Sequence, residues 1–223
     1  MPLDITYLGH SGFLFSDGKF TLAVDPYLTG NPVAVQKQEA ISCHYIALTH
    51  GHDDHVGDTV AIARRCAATV VAPFEVCNHL NEQGVDRTEA GNPGGRIDLP
   101  FGSISFTPAI HSSSSQGRYM GVACGLVIRM GQKCVYHAGD TALFGDMKLI
   151  GQIAKPDVAC LPCGGRYNMT PALATLAAEF VAAPVAIPIH WKTYPILAQD
   201  ISDFTPQGVR VKPMQPGETW RCA

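Results

Sequence analysis

The chain of 223 residues lacks a long hydrophobic run. Its longest candidate, residues 180–189, is interrupted by Pro184 and Pro188 and falls well short of the ~20 apolar residues needed to cross a bilayer. A leader with a basic start and an apolar core is also missing, because residues 4–8 form a strand-like run instead. These absences predict a cytoplasmic protein without a membrane partner.

Charge of one sign is nowhere concentrated. The 16 basic and 19 acidic residues give a formal charge of −3, and no basic stripe with interleaved aromatic side chains occurs. We therefore expect no obligate nucleic-acid partner and a small-molecule substrate, and a homo-oligomer is compatible with the sequence. No linker, long charge run or break in composition divides the chain, which predicts a single domain over residues 1–223.

Two kinds of catalytic apparatus are missing. The serines at 112–115 lack a G-x-S-x-G elbow, so they predict a flexible loop and no serine nucleophile. Eight cysteines without a leader predict reduced, mostly buried thiols. Cys160 and Cys163 form a C-x-x-C pair, but Cys160 lies in an apolar strand and Cys163 runs into two glycines instead of opening a helix. This context favours apolar packing over redox chemistry.

The most concentrated chemistry lies in T-H-G-H-D-D-H at residues 49–55, which holds three of the nine histidines and two aspartates. Imidazole and carboxylate are the ligands that borderline metals such as zinc prefer. The alternative is a polar helix N-terminus, in which Asp53 and Asp54 interact with the macrodipole. That interpretation leaves all three histidines unexplained. The segment therefore predicts metal ligation by His50, His52, Asp54 and His55.

The local pattern places this cluster on a strand-to-helix turn. Residues 45–48 form an apolar run suited to a buried strand, and residues 58–66 predict a helix with a basic end. Ligands usually bind at such turns, outside the carboxyl ends of strands. His50 and His52 can point the same way from an extended loop. Asp54 and His55, at the start of the helix, can point at a neighbouring position. This arrangement favours two adjacent metals over one.

Four residues cannot close two metal sites, so further ligands are expected downstream. His111, Asp140 and His190 each follow an apolar run, as a site at one sheet edge requires. Taken singly, each could be a satisfied core histidine or a turn aspartate. Together with the cluster they complete a seven-ligand set for two metals.

The rest of the chain alternates predicted strands and helices, which indicates a mixed α/β fold. One hairpin is expected at Asp17-Gly18, between strands at 6–15 and 20–24, and another near Gly131, between strands at 125–130 and 133–137. Helices are predicted at 58–66, 74–83, 146–154 and 171–182, and further strands at 69–72, 97–110, 157–161 and 185–189.

The order H-x-H-x-D-H, then His, then G-D-T, then a late His resembles the ligand pattern of metallo-β-lactamase-fold hydrolases. Longer motifs narrow the resemblance: G-H-S-G-F at 9–13, D-P-Y-L-T-G-N-P at 25–32, T-H-G-H-D-D-H-V-G-D-T at 49–59, Y-H-A-G-D-T-A-L-F-G-D-M at 136–147 and P-I-H-W at 188–191. These motifs are similar to those of the UPF0173 metal-dependent hydrolases, which are related to the ascorbate-phosphate lactonase branch. The resemblance covers nearly the whole chain and implies a four-layer αββα sandwich, with a dimetal site at one edge of its two sheets.

The resemblance also implies roles for the ligands. Asp140 would bridge two metals, with His50, His52 and His111 on one ion and Asp54, His55 and His190 on the other. A bridging water would then ionise near neutral pH to supply the attacking hydroxide, which Asp54 orients as the catalytic residue. Zinc is the favoured metal, and manganese, iron and nickel are alternatives.

Other polar residues have weaker assignments. Asp25, at the end of an apolar run, is expected to hold the second nitrogen of a ligating imidazole, although a simple turn role before Pro26 is an equal alternative. His10 is expected at the pocket mouth. His137 is either a site or a core residue, and His44 and His79 have no supporting context.

One segment departs from the family pattern. The family usually has G-D-N-F-T-M-G-P after the strand ending at Pro162, where this chain has G-G-R-Y-N-M-T-P at 164–171. An acidic residue is thereby replaced by Gly165, and its neighbour is Arg166. If the loop faces the metals, Arg166 would attract an anionic substrate, although a solvent-facing loop arginine is an equal alternative. Tyr167 and Trp191 are further candidate substrate contacts.

Three functions remain open. The first is a dimetal hydrolase of a small ester, lactone or phosphate-bearing substrate, with phosphodiesterase- or nuclease-type hydrolysis as a variant. The second is a flavodiiron-like redox enzyme, but that type usually carries Glu at the position of His52 and an added flavin domain. The third is a metal-binding module without catalysis, against which the complete ligand set with Asp54 argues.

Overall fold

A computed structural model describes residues 2–223. The first half of the chain forms six strands of one sheet, with bounds Leu3–Gly9 (β1), Gly12–Ser16 (β2), Thr21–Val24 (β3), Tyr45–Ala47 (β4), Thr69–Pro73 (β5) and Thr88–Gly91 (β6). Between them lie a 3₁₀ turn and three helices, namely Gln38–Ala40, Asp53–Val56 (α1), Thr59–Cys66 (α2) and Phe74–Glu82 (α3).

The second half of the chain forms another sheet, and its last strand joins the first sheet. Its strands are Arg96–Leu99 (β7), Gly102–Pro108 (β8), Cys124–Met130 (β11), Lys133–His137 (β12), Val158–Pro162 (β13), Val185–Ile189 (β14) and Arg210–Val211 (β15). A separate two-stranded ribbon consists of Ser114–Ser115 (β9) and Arg118–Tyr119 (β10). The helices are Met147–Ala154 (α4) and Pro171–Val181 (α5), and the last strand, Thr219–Cys222 (β16), returns to pair with β1.

Each seven-stranded sheet is antiparallel on one side and parallel on the other. The orders are β16-β1-β2-β3-β4-β5-β6 and β15-β14-β13-β12-β11-β8-β7. Strands β3 to β6 are parallel in the first sheet, and β12 to β15 are parallel in the second. The carboxyl ends of parallel strands lie at the same edge of a sheet, so loops from both halves can meet there.

Three hydrophobic clusters define the layers. The central cluster joins the inner faces of both sheets, for example through Phe13 and Leu126. Another cluster packs α4 and α5 against the outer face of the sheet that contains β11 to β15. The remaining cluster packs α2 and α3 against the outer face of the sheet that contains β1 to β6. The predicted four-layer αββα sandwich is therefore confirmed.

The sequence located most elements correctly. All four predicted helices form within two residues of their predicted ends, and α5 begins as expected with Thr170 capping the backbone N–H of Leu173 at 3.2 Å. The turn at Asp17-Gly18 also forms, with Asp17 Oδ1 accepting from the N–H of Phe20 at 2.7 Å.

Three predictions about strands were wrong. The predicted strand at 6–15 is instead a tight hairpin, because Gly9 and His10 have positive φ values of 100° and 57°. The predicted strand at 97–110 is also two strands, which turn at Pro100 and Phe101. The second strand begins at Gly102, where a Cβ would lie 2.1 Å from the carbonyl oxygen of Arg129. Part of the serine segment 112–115, expected as a loop, forms the ribbon strand β9.

Candidate metal centre

The seven predicted ligands come together at the edge where both sheets present the carboxyl ends of parallel strands. The loop after β4 carries the first two histidines, and α1 carries the next aspartate and histidine. The other three follow β8, β12 and β14. Chain positions far apart therefore converge because their strands end at one edge; the residues are His50, His52, Asp54, His55, His111, Asp140 and His190.

One part of the centre contains only imidazoles. We call His50, His52 and His111 the imidazole cluster; one ring nitrogen from each lies within 4.8 Å of the others. His50 Nε2 and His52 Nδ1 are 3.0 Å apart, and the ring of His111 lies 5.2 and 5.0 Å from the rings of His50 and His52. Burial lowers the pKa of all three imidazoles, and neighbouring histidines lower it further.

The other part combines imidazoles with a carboxylate. We call His10, Asp54, His55 and His190 the mixed cluster, whose potential ligand atoms also lie within 4.8 Å of one another. His10 Nε2 is 3.0 Å from Asp54 Oδ2, and His190 Nε2 is 3.7 Å from the same oxygen. The histidine side chains here are at most 3% exposed, whereas that of Asp54 is 35% exposed.

Asp140 faces both clusters. Its Oδ2 is 3.0 Å from His190 Nε2 in the mixed cluster and 3.7 Å from His111 Nε2 in the imidazole cluster. Its Oδ1 is 3.5 Å from His55 Nε2. The carboxylate thus lies where a ligand shared by two neighbouring cations would have to lie.

The carboxylates make the mixed cluster attractive to cations. Burial opposes the charged form of His55 and His190, but the surrounding carboxylates outweigh it and raise the pKa of His55 to about 9 and that of His190 to about 10. Burial likewise opposes ionisation of Asp54 and Asp140, yet the adjacent imidazoles hold the pKa of both carboxyls well below the usual range. Positive charge at this position is therefore strongly favoured.

The donor set fits divalent metal ions. His55 Nε2 and Asp140 Oδ1 are buried and have no hydrogen-bond partner among residues 2–223. Buried polar atoms are normally satisfied, and imidazole nitrogens and carboxylate oxygens that converge without partners are what a borderline cation requires.

Asp25 contacts the mixed cluster through the second ring nitrogen of His55. Its Oδ2 lies 2.7 Å from His55 Nδ1, and both its oxygens accept from Thr49, at 2.9 Å from the backbone N–H and 2.7 Å from the hydroxyl. Asp25 is completely buried and has a positive φ of 44°. The structure therefore places it at the second nitrogen of a candidate ligand, where such a carboxylate fixes the tautomer.

His10 lies inside the centre and not at a pocket mouth, contrary to the prediction. It is completely buried at the hairpin between β1 and β2, and its ring centroid is 3.9 Å from that of His190. Burial and the neighbouring His190 lower its pKa to about 4, so the ring is neutral. Because Asp54 is ionised, His10 Nε2 must carry the proton of their bond, and Nδ1 must accept from the hydroxyl of Thr193 at 2.9 Å.

The predicted substrate contacts lie at the periphery. Arg166 and Tyr167 are exposed and contact each other, with the guanidinium carbon 5.8 Å from the ring centroid. Their loop nevertheless adjoins the centre, because a Cβ on Gly164 would lie 2.9 Å from His190 Nδ1. Trp191 is half-buried, packs against the outer cluster of the second sheet and borders a cavity of about 380 Å³.

The remaining histidines lie outside both clusters. His137 is buried and its Nε2 lies 2.9 Å from the carbonyl oxygen of Ser11, which makes it a core residue. His44 accepts from the N–H of Thr21 at 3.0 Å, and His79 bonds Gln83 at 2.7 Å.

The cysteines contain no disulfide. All eight are free, and seven are buried. Burial raises the pKa of Cys160 and Cys163, so both thiols stay protonated and are poor nucleophiles. This agrees with apolar packing for the C-x-x-C pair.

Sequence reasoning missed three residues beside the centre. Thr193 donates its hydroxyl proton to His10 Nδ1, and the hydroxyls of Tyr27 and Tyr194 bond each other at 2.5 Å near His10. Burial, the bond to Tyr194 and the nearby Asp54 raise the pKa of Tyr27, so its hydroxyl stays protonated. Tyr27 lies in the motif at 25–32 that carries the family resemblance, whereas the only signal for Thr193 and Tyr194 was their position within four residues of His190.

No helix among the described residues has both the length and the apolar character that a membrane crossing requires.

The comparisons with known proteins agree with this architecture. A sequence model described as the Beta-lactamase superfamily domain matches residues 18–191. The solved structure of Igni18, described as a novel metallo hydrolase from Ignicoccus hospitalis, superposes with a TM-score of 0.90 at 34% identity and covers 99% of this chain and 98% of that one. Fold and site therefore define a member of the β-lactamase superfamily.

Closer relatives specify the family. A UPF0173 metal-dependent hydrolase of Symbiobacterium thermophilum is 47% identical over 98% of this chain and 99% of its own length. Another, from Carboxydothermus hydrogenoformans, is 42% identical over 97% and 98%. The chain belongs to the UPF0173 metal-dependent hydrolase family.

Proposed function

We propose that residues 1–223 form one hydrolase domain that uses two divalent metal ions to cleave a small ester, lactone or phosphate-bearing substrate. The observation that carries this proposal is the Asp140 carboxylate, which faces the imidazole cluster and the mixed cluster at once. The names of the relatives, metal-dependent hydrolase and metallo hydrolase, support hydrolysis over redox chemistry.

The imidazole cluster would hold one ion and Asp54, His55 and His190 the other, with Asp140 shared between them. Zinc fits this donor set best, and manganese, iron and nickel fit the same ligand types. When bound, such ions would polarise the substrate oxygen and lower the pKa of water at the site toward ~7.

The chain itself orients Asp54. The neutral His10 ring donates from Nε2 to Asp54 Oδ2, and its Nδ1 accepts from the Thr193 hydroxyl. Asp54 Oδ1 is then free to accept a hydrogen bond from the attacking water, because no described residue bonds it. Since its side chain is also the exposed member of the mixed cluster, Asp54 is the residue that meets water and substrate.

Asp54→Asn tests this function most directly. The metal-reconstituted protein is screened against generic esters, lactones and bis-phosphodiesters, with metal content measured in parallel. We expect hydrolysis in the native protein and a loss of at least about 100-fold in Asp54→Asn, because the amide cannot orient the nucleophile as a carboxylate does.

The matched control is Asp53→Asn, which changes the adjacent carboxylate that lies outside both clusters and accepts from Ser115. It should retain activity. Full activity in Asp54→Asn, or less than one metal equivalent in the reconstituted native protein, would contradict the proposed function.

A further inference from the structure

Two tyrosines flank the mixed cluster from opposite sheets. Tyr27 lies two residues after Asp25 in the loop that follows β3, and Tyr194 lies four residues after His190 in the loop that follows β14. Both are half-buried, and their hydroxyl oxygens are 2.5 Å apart. The pair thus connects the two halves of the molecule directly beside the candidate metal centre.

Both rings face His10. Their centroids lie 5.9 Å and 6.0 Å from that of His10, at interplanar angles of 76° and 74°. His10 in turn bonds Asp54, the member of the mixed cluster through which that cluster reaches solvent. The phenols therefore lie beside the bonded His10–Asp54 pair, next to the solvent-exposed member of the cluster.

The hydroxyls have a hydrogen-bonding capacity that the protein does not use. Two phenols carry two O–H donors, but their mutual bond uses only one of them. The structure records no other partner for either hydroxyl among residues 2–223. The unused O–H group belongs to the tyrosine whose oxygen accepts the mutual bond. Accepting that bond polarises the O–H group and makes it a stronger donor to another acceptor.

We propose that the Tyr27–Tyr194 pair binds an oxygen atom of the substrate that carries or develops negative charge, as an acyl or phosphoryl oxygen does. The inference rests on the proposed function and names the group that its substrate presents on the His10 side of the mixed cluster. Preorganised donors aimed at such an oxygen stabilise it without reorganisation during the reaction. A phenol O–H also donates to neutral carbonyl oxygens, so the pair selects for oxygen acceptors and does not require a full anion.

Binding can be measured independently of turnover. Phenylphosphonate, a non-hydrolysable compound with phosphoryl oxygens, is titrated calorimetrically into the zinc-loaded native protein and into Tyr27→Phe, Tyr194→Phe and the double variant. Tyr45→Phe is the matched control, because Tyr45 is also half-buried but lies at the start of β4, away from the site. Metal content and thermal unfolding are recorded for every protein.

We expect the double variant to bind phenylphosphonate about tenfold more weakly, as the loss of one hydrogen bond to a charged acceptor predicts, with metal content unchanged. Tyr45→Phe should bind like the native protein. Unchanged affinity in the double variant would overturn the inference and reduce the pair to a structural link between two loops, as would the absence of binding to the native protein. A protein that binds the probe through the pair but cleaves no ester, lactone or phosphodiester would refute the proposed function alone.

Discussion

The two clusters at the centre differ in charge although they share ligand types. The imidazole cluster has no carboxylate of its own, and the pKa of each histidine there is lowered. The mixed cluster contains Asp54, and Asp25 contacts it from behind. Neighbouring carboxylates stabilise a dication, whereas neighbouring imidazoles contribute only dipoles. If each cluster holds one ion as proposed, the mixed cluster should bind its metal more tightly and the imidazole cluster should fill second.

The largest effect should come from Asp140→Asn, which removes the carboxylate that both clusters share. We expect metal content to fall from about two equivalents to one or fewer, and hydrolysis to fall at least about 100-fold, because the ion of the imidazole cluster loses its only anionic ligand and the other ion keeps only Asp54. Elemental analysis measures the metal content, and steady-state turnover measures hydrolysis. Asp146→Asn, an exposed aspartate on the same segment, is the control and should change neither. Two tightly held equivalents in Asp140→Asn would remove the basis for a shared ligand.

Asp25→Asn should affect the mixed cluster selectively. The tighter of two zinc affinities should weaken about 10–100-fold, because His55 loses the carboxylate that holds its Nδ1. The unfolding free energy of the metal-free protein should also fall by about 3 kcal/mol, since both partners of this pair are fully buried.

Zinc titration against a chelating indicator and urea unfolding provide the two measurements for Asp25→Asn. Asp86→Asn, at an exposed position remote from the site, should match the native protein in both. An effect of Asp25→Asn on the weaker affinity alone would mean that the assignment of tight and weak sites is reversed.

His52→Ala should affect only the imidazole cluster. We expect the protein to keep about one tightly bound equivalent and lose the weaker one, because the mixed cluster retains every ligand. Stability should change little, since His52 is half-buried and near the surface. His55→Ala is the reciprocal variant and should weaken the tight site. If His52→Ala removed both metals, the two clusters would have to be a single site.

Arg166→Ala should have the smallest effect. The side chain is exposed, and its recorded contact is the ring of Tyr167, so any attraction for an anionic substrate is screened by solvent and salt. We expect KM for an anionic substrate to rise about twofold at low salt, with KM for a neutral one and metal content unchanged. Lys148→Ala, an exposed cation on α4, is the control. Equal changes for both substrate types would show that Arg166 does not contact substrate.

The sequence located the candidate ligands far better than the residues around them. Residues 49–55 could be recognised because four candidate ligands lie on one loop and one helical turn, where local geometry decides their direction. His111, Asp140 and His190 could be proposed only from their position after apolar runs. His10 was misplaced because its segment looks like one continuous strand, and only the left-handed conformation at residues 9–10 turns it into the core.

Local sequence by itself determined the strand-to-helix turn that carries residues 49–55 and the chemical type of the candidate ligands there, since both depend on side chains a few positions apart. Tertiary structure alone decided that Asp140 lies between the two clusters and that Tyr27 and Tyr194 share a hydrogen bond. The tyrosine bond and the approach of Asp140 to His55 join residues from opposite sheets, and the other Asp140 contacts join separate strands of one sheet. No spacing along the chain encodes any of them. They exist because two sheets pack face to face and present the carboxyl ends of their parallel strands at one edge.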